Sequence, residues 1–204
     1  SIVIFNTSRP EDSTDRRSRY AGVLSLREIA ELTKYCSLFV GCGSGSTVAA
    51  TSTAAVPLPM IQVLSASTSV FASFYHDFEY FGLDNSSIIE TTNTSAAHVA
   101  NCIVSACVSG VERAKAEFHE VIPVSFGQYL SGIDYLLKEH RYVDAARSII
   151  VTAERYGWQP ELVAYSTEKV IPYLAADPAW AFASNKRVAA DFRDMVADAP
   201  KESA

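Results

Sequence analysis

Residues 38–50 read LFVGCGSGSTVAA, and this stretch carries the clearest fold signal in the chain. Its first three residues are apolar and of strand type, whereas the residues from Thr47 onward favour a helix. Between these parts lie Gly41, Gly43 and Gly45, and glycines allow a tight turn and let a ligand approach the main chain closely. The stretch therefore predicts a strand, a glycine loop and the start of a helix.

The start of that predicted helix is a candidate anion site. The first N–H groups of a helix have no partner within the helix, and they lie at the positive end of its dipole. We therefore expect an anionic ligand to contact the residues from the second glycine to the threonine, namely Gly43, Ser44, Gly45, Ser46 and Thr47. The alternative is a plain strand-to-helix turn in which Ser44 or Ser46 caps the helix.

Strand and helix patterns alternate on both sides of the glycine loop. Runs of β-forming residues predict strands near residues 2–5, 37–40, 60–64 and 87–90. Ser25 and Glu28 have the spacing of a capping box and predict that a helix starts there and precedes the loop. Alternating strands and helices are typical of a parallel sheet with right-handed crossovers. Residues 1–109 are therefore predicted to form a Rossmann-like α/β domain.

Arg9 is the candidate cation for the same anion. It follows the first predicted strand, and open parallel sheets bind ligands beyond the carboxyl ends of their strands. The residues after it, as far as Arg19, are strongly charged, which favours a solvated connection over a lid that contacts a ligand.

The second part of the chain lacks strand patterns, and residues 110–204 are predicted to be a helical domain. Helices are placed at residues 111–120, 126–139, 143–156, 161–174 and 178–196. The pair at 126–156 resembles a tetratricopeptide hairpin, with Gly132 and Tyr135 at the expected mutual spacing. Such hairpins normally stack in arrays of about three or more, so a helical domain without an array is the preferred interpretation.

Aromatic residues crowd the stretch between the third and fourth predicted strands. Phe71, Phe74, Tyr75, Phe78, Tyr80 and Phe81 all lie there. Such a cluster is more often packed in a core than used as a platform for a sugar or a base, and we expect core packing.

The composition of the chain restricts the classes of binding partner and indicates a cellular compartment. The net charge of −6 disfavours a nucleic-acid surface, and the sequence contains no apolar run long enough for a transmembrane helix. Four cysteines without a CxxC pair are typical of a reducing compartment, so we expect a cytoplasmic protein. The chain enters a strand pattern directly after Ser1, which predicts that further sequence precedes it. The four histidines are scattered and no metal motif or cofactor motif is present.

Cys42 is the most reactive-looking side chain, since a thiol beside a helix start can become a nucleophile. Cys-Gly-Ser-Gly looks like the nucleophile segment of thiolases, but the sequence offers no paired cysteine or histidine motif that would supply a base. We therefore do not expect a catalytic Cys42.

Residues 25–57 are similar to the C-terminal domain of GT-B glycosyltransferases, above all the heptosyltransferase-like family. In that family a Ser-Leu-x-Glu-Leu helix leads to a strand that ends Gly-Asn-Asp-Ser-Gly-Pro-x-His, followed by an Ala-rich helix and a Pro-led strand. Gly41, Ser44, Gly45 and Ala50 fall on matching positions. The main departures from the pattern are Gly43 for Asp, Ser46 for Pro and Val48 for His.

The resemblance extends over roughly residues 1–108 and implies a partial GT-B donor domain. It implies that the residues from Ser44 to Thr47 approach the diphosphate of a nucleotide sugar, and that this metal-independent enzyme transfers the sugar to an acceptor. The acceptor domain and the catalytic base would lie upstream, so no catalytic residue is assigned. Two alternatives stay open: an inactive protein-interaction module that binds a partner protein through its helical domain, and a nucleotide-sugar epimerase.

Overall fold

The computed structural model describes residues 4–6, 17–43, 45–65, 69–174 and 183–200, which fall into two compact units. The first unit extends from Ser1 to Pro123 and the second from Val124 to Ala204. The boundary therefore lies after Pro123, and not between residues 109 and 110 as the end of the strand patterns suggested.

The described part of the first unit contains five strands, and every strand pair within it is parallel. They are β1 (Ile4–Asn6), β2 (Ser18–Tyr20), β3 (Phe39–Gly41), β4 (Met60–Val63) and β5 (Ile88–Thr91). β1 pairs with β2, while β3, β4 and β5 form a three-stranded sheet with β4 in the centre. The predicted α/β class with a parallel sheet is confirmed.

β2 corrects the prediction of a solvated loop that reaches Arg19. Arg19 lies in the middle of β2 and pairs with Phe5 of β1, although its side chain is exposed. The sequence Ser-Arg-Tyr lacks the alternation of apolar and polar residues by which a strand is recognised. This short strand forms by pairing with β1 and buries neither face, so its sequence needs no such alternation. The preceding part of the predicted loop, residues 7–16, lies outside the described residues.

Among the residues described for this unit, six α-helices connect and cover these strands. They are α1 (Leu26–Leu32), α2 (Gly45–Ala50), α3 (Ser69–Ala72), α4 (Phe74–Tyr80), α5 (Ala96–Ser109) and α6 (Val111–Phe118). The capping box at the start of α1 is confirmed, because the Ser25 hydroxyl accepts from the Glu28 N–H and the Glu28 carboxylate accepts from the Ser25 N–H. α2 is short and ends at Ala50, and α3 and α4 were not predicted as helices.

The core of the first unit lies between the three-stranded sheet and helices α5 and α6. Ile61 of the central strand and Ile89 of β5 are fully buried there. Small side chains face them from the helices, Cys102 and Ala106 from α5 and Ala114 from α6. Because small residues allow a helix to lie close to a sheet, two short helices suffice to cover this face.

The outer edge of β5 is closed by the residues that follow α6. The Glu120 N–H donates to the Glu90 carbonyl at 2.8 Å, and the Glu90 N–H donates to Nδ1 of His119 at 3.0 Å. Main-chain groups on a sheet edge need such partners when they are buried. These two bonds tie α6 to the sheet, and this is why the first unit continues as far as Pro123.

Because His119 is partly buried in this contact, we expect the free energy of unfolding of the first unit to depend on pH. Burial, reinforced by the positive charge of Lys115, lowers the pKa of His119 below its ordinary value of 6.5. The unfolded chain therefore binds this proton more readily, so the free energy of unfolding should fall as the pH drops below 6.5 towards the folded-state pKa. Urea unfolding between about pH 7.5 and about pH 5.5 measures this loss.

His119→Gln is the matched variant for this test, because its amide oxygen can still accept from the Glu90 N–H but does not titrate. We expect a flatter pH dependence in the variant. An unchanged pH dependence in His119→Gln would assign the effect to another group.

The second unit is built from helices. They are α7 (Gly127–Lys138), α8 (Tyr142–Tyr156), α9 (Pro160–Tyr165), α10 (Ile171–Leu174) and α11 (Ala183–Asp198), and a π-helical segment, Ser166–Val170, joins α9 to α10. Its core centres on α8, where Ala145, Ala146 and Ile149 are fully buried together with Phe192 of α11. The predicted helical character after the sheet is confirmed for the described residues.

The aromatic stretch between β4 and β5 is only partly packed. Phe74, Tyr75 and Phe78 are half-buried, whereas Phe71, Tyr80 and Phe81 are exposed. The expectation that this cluster forms core is therefore wrong for half of its members. α4 packs against β5, whereas Tyr80 at its end is exposed.

Candidate functional site

The glycine loop lies at the carboxyl end of β3, directly before α2. β3 ends at Gly41, and α2 begins at Gly45. β3 and β4 are parallel, so both strands end at the same edge of the sheet. The predicted order of strand, loop and helix is thus present, although Ser44 lies outside the described residues and so does Arg9.

The first glycine lets α2 pack on the end of its strand. A Cβ on Gly41 would lie 2.6 Å from Cε1 of Phe39 and 3.1 Å from Oγ1 of Thr47. Both distances are shorter than ordinary contacts between a Cβ and its neighbours. A side chain at this position would therefore require the Phe39 ring and Thr47 to shift.

The second glycine is covered on its Cβ side by α3. A Cβ on Gly43 would lie 2.7 Å from Cβ of Ala72 and 3.3 Å from the Ala72 carbonyl oxygen. The space that the missing side chain leaves is thus filled by protein. Gly43 itself is exposed, and its predicted contact with a ligand stays a prediction.

The third glycine is the one that borders open space. Apart from its neighbours in the chain, no described atom lies within 4 Å of a Cβ built on Gly45. Gly45 is exposed and is the first residue of α2, and Ser46 beside it is half-buried. A ligand on this loop would therefore meet Gly45 and Ser46.

Thr47 stabilises the loop from the inside. It is fully buried, and its hydroxyl donates to the carbonyl of Cys42 at 3.0 Å. This bond joins the first turn of α2 to the residue that follows β3. The Thr47 hydroxyl therefore faces the core, and a contact between the Thr47 main chain and a ligand stays a prediction.

One row of paired residues crosses the sheet next to the loop. Gly41 pairs with Gln62, and Gln62 pairs with Glu90. Paired residues of parallel strands point to the same face, and Gly41 faces Thr47 of α2, so Gln62 and Glu90 belong to the face that α2 covers. Both polar side chains are buried. The sheet beside the glycine loop therefore carries buried polar groups.

The Glu90 carboxylate is bound by the start of α4. Its Oε2 accepts from the Ser73 hydroxyl at 2.6 Å, and its Oε1 accepts from the Tyr75 N–H at 3.0 Å. Burial raises the pKa of Glu90, while the hydrogen bonds from Ser73 and from the main chain of Phe74 and Tyr75 oppose that rise. This cluster was not predicted, although a charged residue that ends the apolar run Ile88-Ile89 was a visible signal.

A second carboxylate holds the segment that follows β5. Glu120 accepts from the Thr92 N–H at 2.9 Å, from the Thr92 hydroxyl at 2.6 Å and from the Thr91 hydroxyl at 2.5 Å. Burial acts to raise the pKa of Glu120, but these hydrogen bonds outweigh it and lower the pKa. Because the Thr91 hydroxyl proton goes to Glu120, Nε2 of His98 must donate to Thr91 at 3.1 Å. The Glu120 carboxylate thus has a structural role.

Cys42 is an exposed, free thiol beside the loop. Within the described ranges, no three histidine, cysteine, aspartate or glutamate side chains are grouped so that they could hold a metal ion. In the same part of the chain, no helix is both long enough and apolar enough to cross a membrane.

Comparison of the chain with models of protein families, with curated proteins and with solved structures found no match.

Proposed function

We propose that this chain is the donor-binding half of a glycosyltransferase and that it binds the diphosphate of a nucleotide sugar at the start of α2. The observation that supports this most is the open side of Gly45, at the carboxyl end of a strand in a parallel sheet. The resemblance of residues 1–108 to the donor domain of GT-B glycosyltransferases supports it independently. In this proposal the protein works in the cytoplasm.

The proposed chemistry is stabilisation of the leaving diphosphate. When the bond between the sugar and the diphosphate breaks, negative charge grows on the phosphate oxygens. The main-chain N–H groups of Gly45 and Ser46 would donate to these oxygens, at the positive end of the helix dipole. Donors that are already fixed by the fold need no reorganisation during the reaction.

Gly45→Val tests the site directly. The new side chain would enter the open space in front of α2, so we expect the affinity for a nucleoside diphosphate to fall at least about a hundredfold, the loss of about 2.7 kcal/mol of binding free energy. Because the space is empty, the variant should lose no more than about 1 kcal/mol of stability. Calorimetric titration of the native chain and of the variant with UDP, GDP, ADP and CDP measures the affinity.

Gly127→Val is the matched control. Gly127 is also the first residue of a helix, α7, and a Cβ there would also meet no described atom within 4 Å. The control should bind the nucleoside diphosphate as the native chain does. Equal affinity of the native chain and Gly45→Val would mean that the loop is only a turn.

The same titration separates the proposal from the interaction module that the sequence left open. An inactive module that binds a protein through its helices would bind none of the four nucleoside diphosphates, with or without the substitution.

A further inference from the structure

The buried carboxylate of Glu90 is connected to the glycine loop through three consecutive residues. Glu90 accepts from Ser73 and from the main chain of Tyr75, as described above. Ser73 directly follows Ala72, and the Cβ of Ala72 occupies the space on the Cβ side of Gly43. The position of the glycine loop therefore depends on where Glu90 holds the segment between α3 and α4.

Hydrogen bonds make the connection between Glu90 and the start of α4. Glu90 is 1% exposed, and a buried carboxylate is stable only when its oxygens are bound by donors. Ser73 is also the N-cap of α4, where its hydroxyl accepts from the His76 N–H at 3.1 Å while donating to Glu90. The hydroxyl thus joins the helix start to the strand and leaves Ala72 little freedom to move.

We propose that Glu90 is the positioning residue of the glycine loop: through Ser73 it holds Ala72 against Gly43 and so keeps the open side of Gly45 in its ligand-binding position. Glu90 touches no ligand in this role. The positioning of the loop stands on the contacts of this chain alone, whereas its consequence for nucleoside diphosphates rests on the proposed function.

The proposal depends on the contact between Gly43 and Ala72. A size exchange, in which Gly43→Ala is combined with Ala72→Gly, tests this contact. Gly43→Ala places a Cβ 2.7 Å from that of Ala72, so the loop must shift. Ala72→Gly removes the obstructing atom, and the double variant should restore the native loop. Gly132→Ala, at an open position within α7, is the control for the change from glycine to alanine.

The first readout is hydrogen exchange at amides that are hydrogen-bonded in the native fold: that of Thr51, which donates to the Thr47 carbonyl of α2, and those of Tyr75 and His76 at the start of α4. It needs no ligand. We expect Gly43→Ala to accelerate exchange about tenfold, and the double variant to return it to within about twofold of the native rate. Glu90→Gln, which keeps the shape of the side chain, should also accelerate exchange about tenfold, because its NH2 group is a donor and cannot replace the carboxyl oxygen that accepts from Ser73 or from the Tyr75 N–H.

The second readout is the affinity for the nucleoside diphosphate that the native chain binds best. Gly43→Ala should weaken binding about tenfold and the double variant should recover it. If no nucleoside diphosphate binds to the native chain, the proposed function fails while the exchange experiment still tests the role of Glu90. Native exchange rates in both Gly43→Ala and Glu90→Gln would overturn that role, even if the native chain binds. Should Glu90→Gln not fold, Ser73→Ala takes its place under the same criterion, because it removes the hydroxyl that joins Glu90 to the start of α4.

Discussion

Phe192→Ala is expected to destabilise the helical unit by about 3–5 kcal/mol. The Phe192 ring is fully buried on α11, in the same core as Ile149 of α8, and its centroid lies 6.1 Å from that of Trp158. Removing it leaves a cavity that the surrounding helices can close only in part, so the transfer free energy and the lost contacts add up. Urea unfolding monitored by hydrogen exchange in α8 measures the loss within this unit.

Tyr135→Ala is the control for the removal of an aromatic ring. Tyr135 lies on α7 and is 60% exposed, so its loss should change the stability by about 0.5 kcal/mol or less. Equal destabilisation by the two variants would contradict the placement of Phe192 in the core.

Ile61→Ala is expected to destabilise the first unit by about 2–5 kcal/mol. Ile61 is fully buried on the central strand and packs against α5 and α6 through Cys102, Ala106 and Ala114. These small side chains cannot fill the cavity, because they have no rotamers that extend further. Hydrogen exchange of the β4 amides, together with urea unfolding, measures the effect.

Val104→Ala is the matched control on the same unit. Val104 lies on α5 and is 57% exposed, so the expected change is about 0.5 kcal/mol or less. Ile61 does not lie at the glycine loop, so any loss of nucleotide affinity in Ile61→Ala should follow the unfolded fraction. A loss of affinity in the fully folded variant would mean that the sheet itself, and not only the loop, contacts the ligand.

The sequence predicts those elements that local chemistry determines. β4 and β5 stand in apolar runs, and the first helix begins at a capping box, so their places are visible without the fold. β2 could not be predicted in this way, because its residues form a strand only by pairing with β1. The stretch that forms α4 does carry a local signal, since Phe71, Phe74, Tyr75 and Phe78 recur at helical spacing and Ser73 caps the helix, but this signal was overlooked. α3 is only four residues long.

The extent of the first unit depends on contacts between residues far apart in the chain. His119 and Glu120 look like the end of an isolated helix in the sequence, yet both bind the edge strand through Glu90. No local sequence pattern indicates such a contact with the sheet edge. The domain boundary predicted after residue 109 therefore lies before the end of the first unit at Pro123.

The position of the glycine loop could be predicted from the sequence, but the packing of its residues could not. The sequence indicated the loop between β3 and α2 correctly. It could not separate the roles of the glycines, because Gly43 is covered by Ala72 and Gly45 is not, and α3 has no clear signal of its own. It also could not show that the Thr47 hydroxyl bonds to Cys42, since a threonine in the first helical turn can equally face a ligand.

Amide chemical shifts of the isotope-labelled chain during titration with UDP, GDP, ADP and CDP are the most direct measurement of whether the glycine loop binds a nucleoside diphosphate. We predict saturable shifts at Gly45 and Ser46 with at least one of the four, and their loss in Gly45→Val but not in Gly127→Val. Titrations that leave the amides of Gly45 and Ser46 unmoved, or that shift only amides remote from the loop, would contradict the proposed donor site.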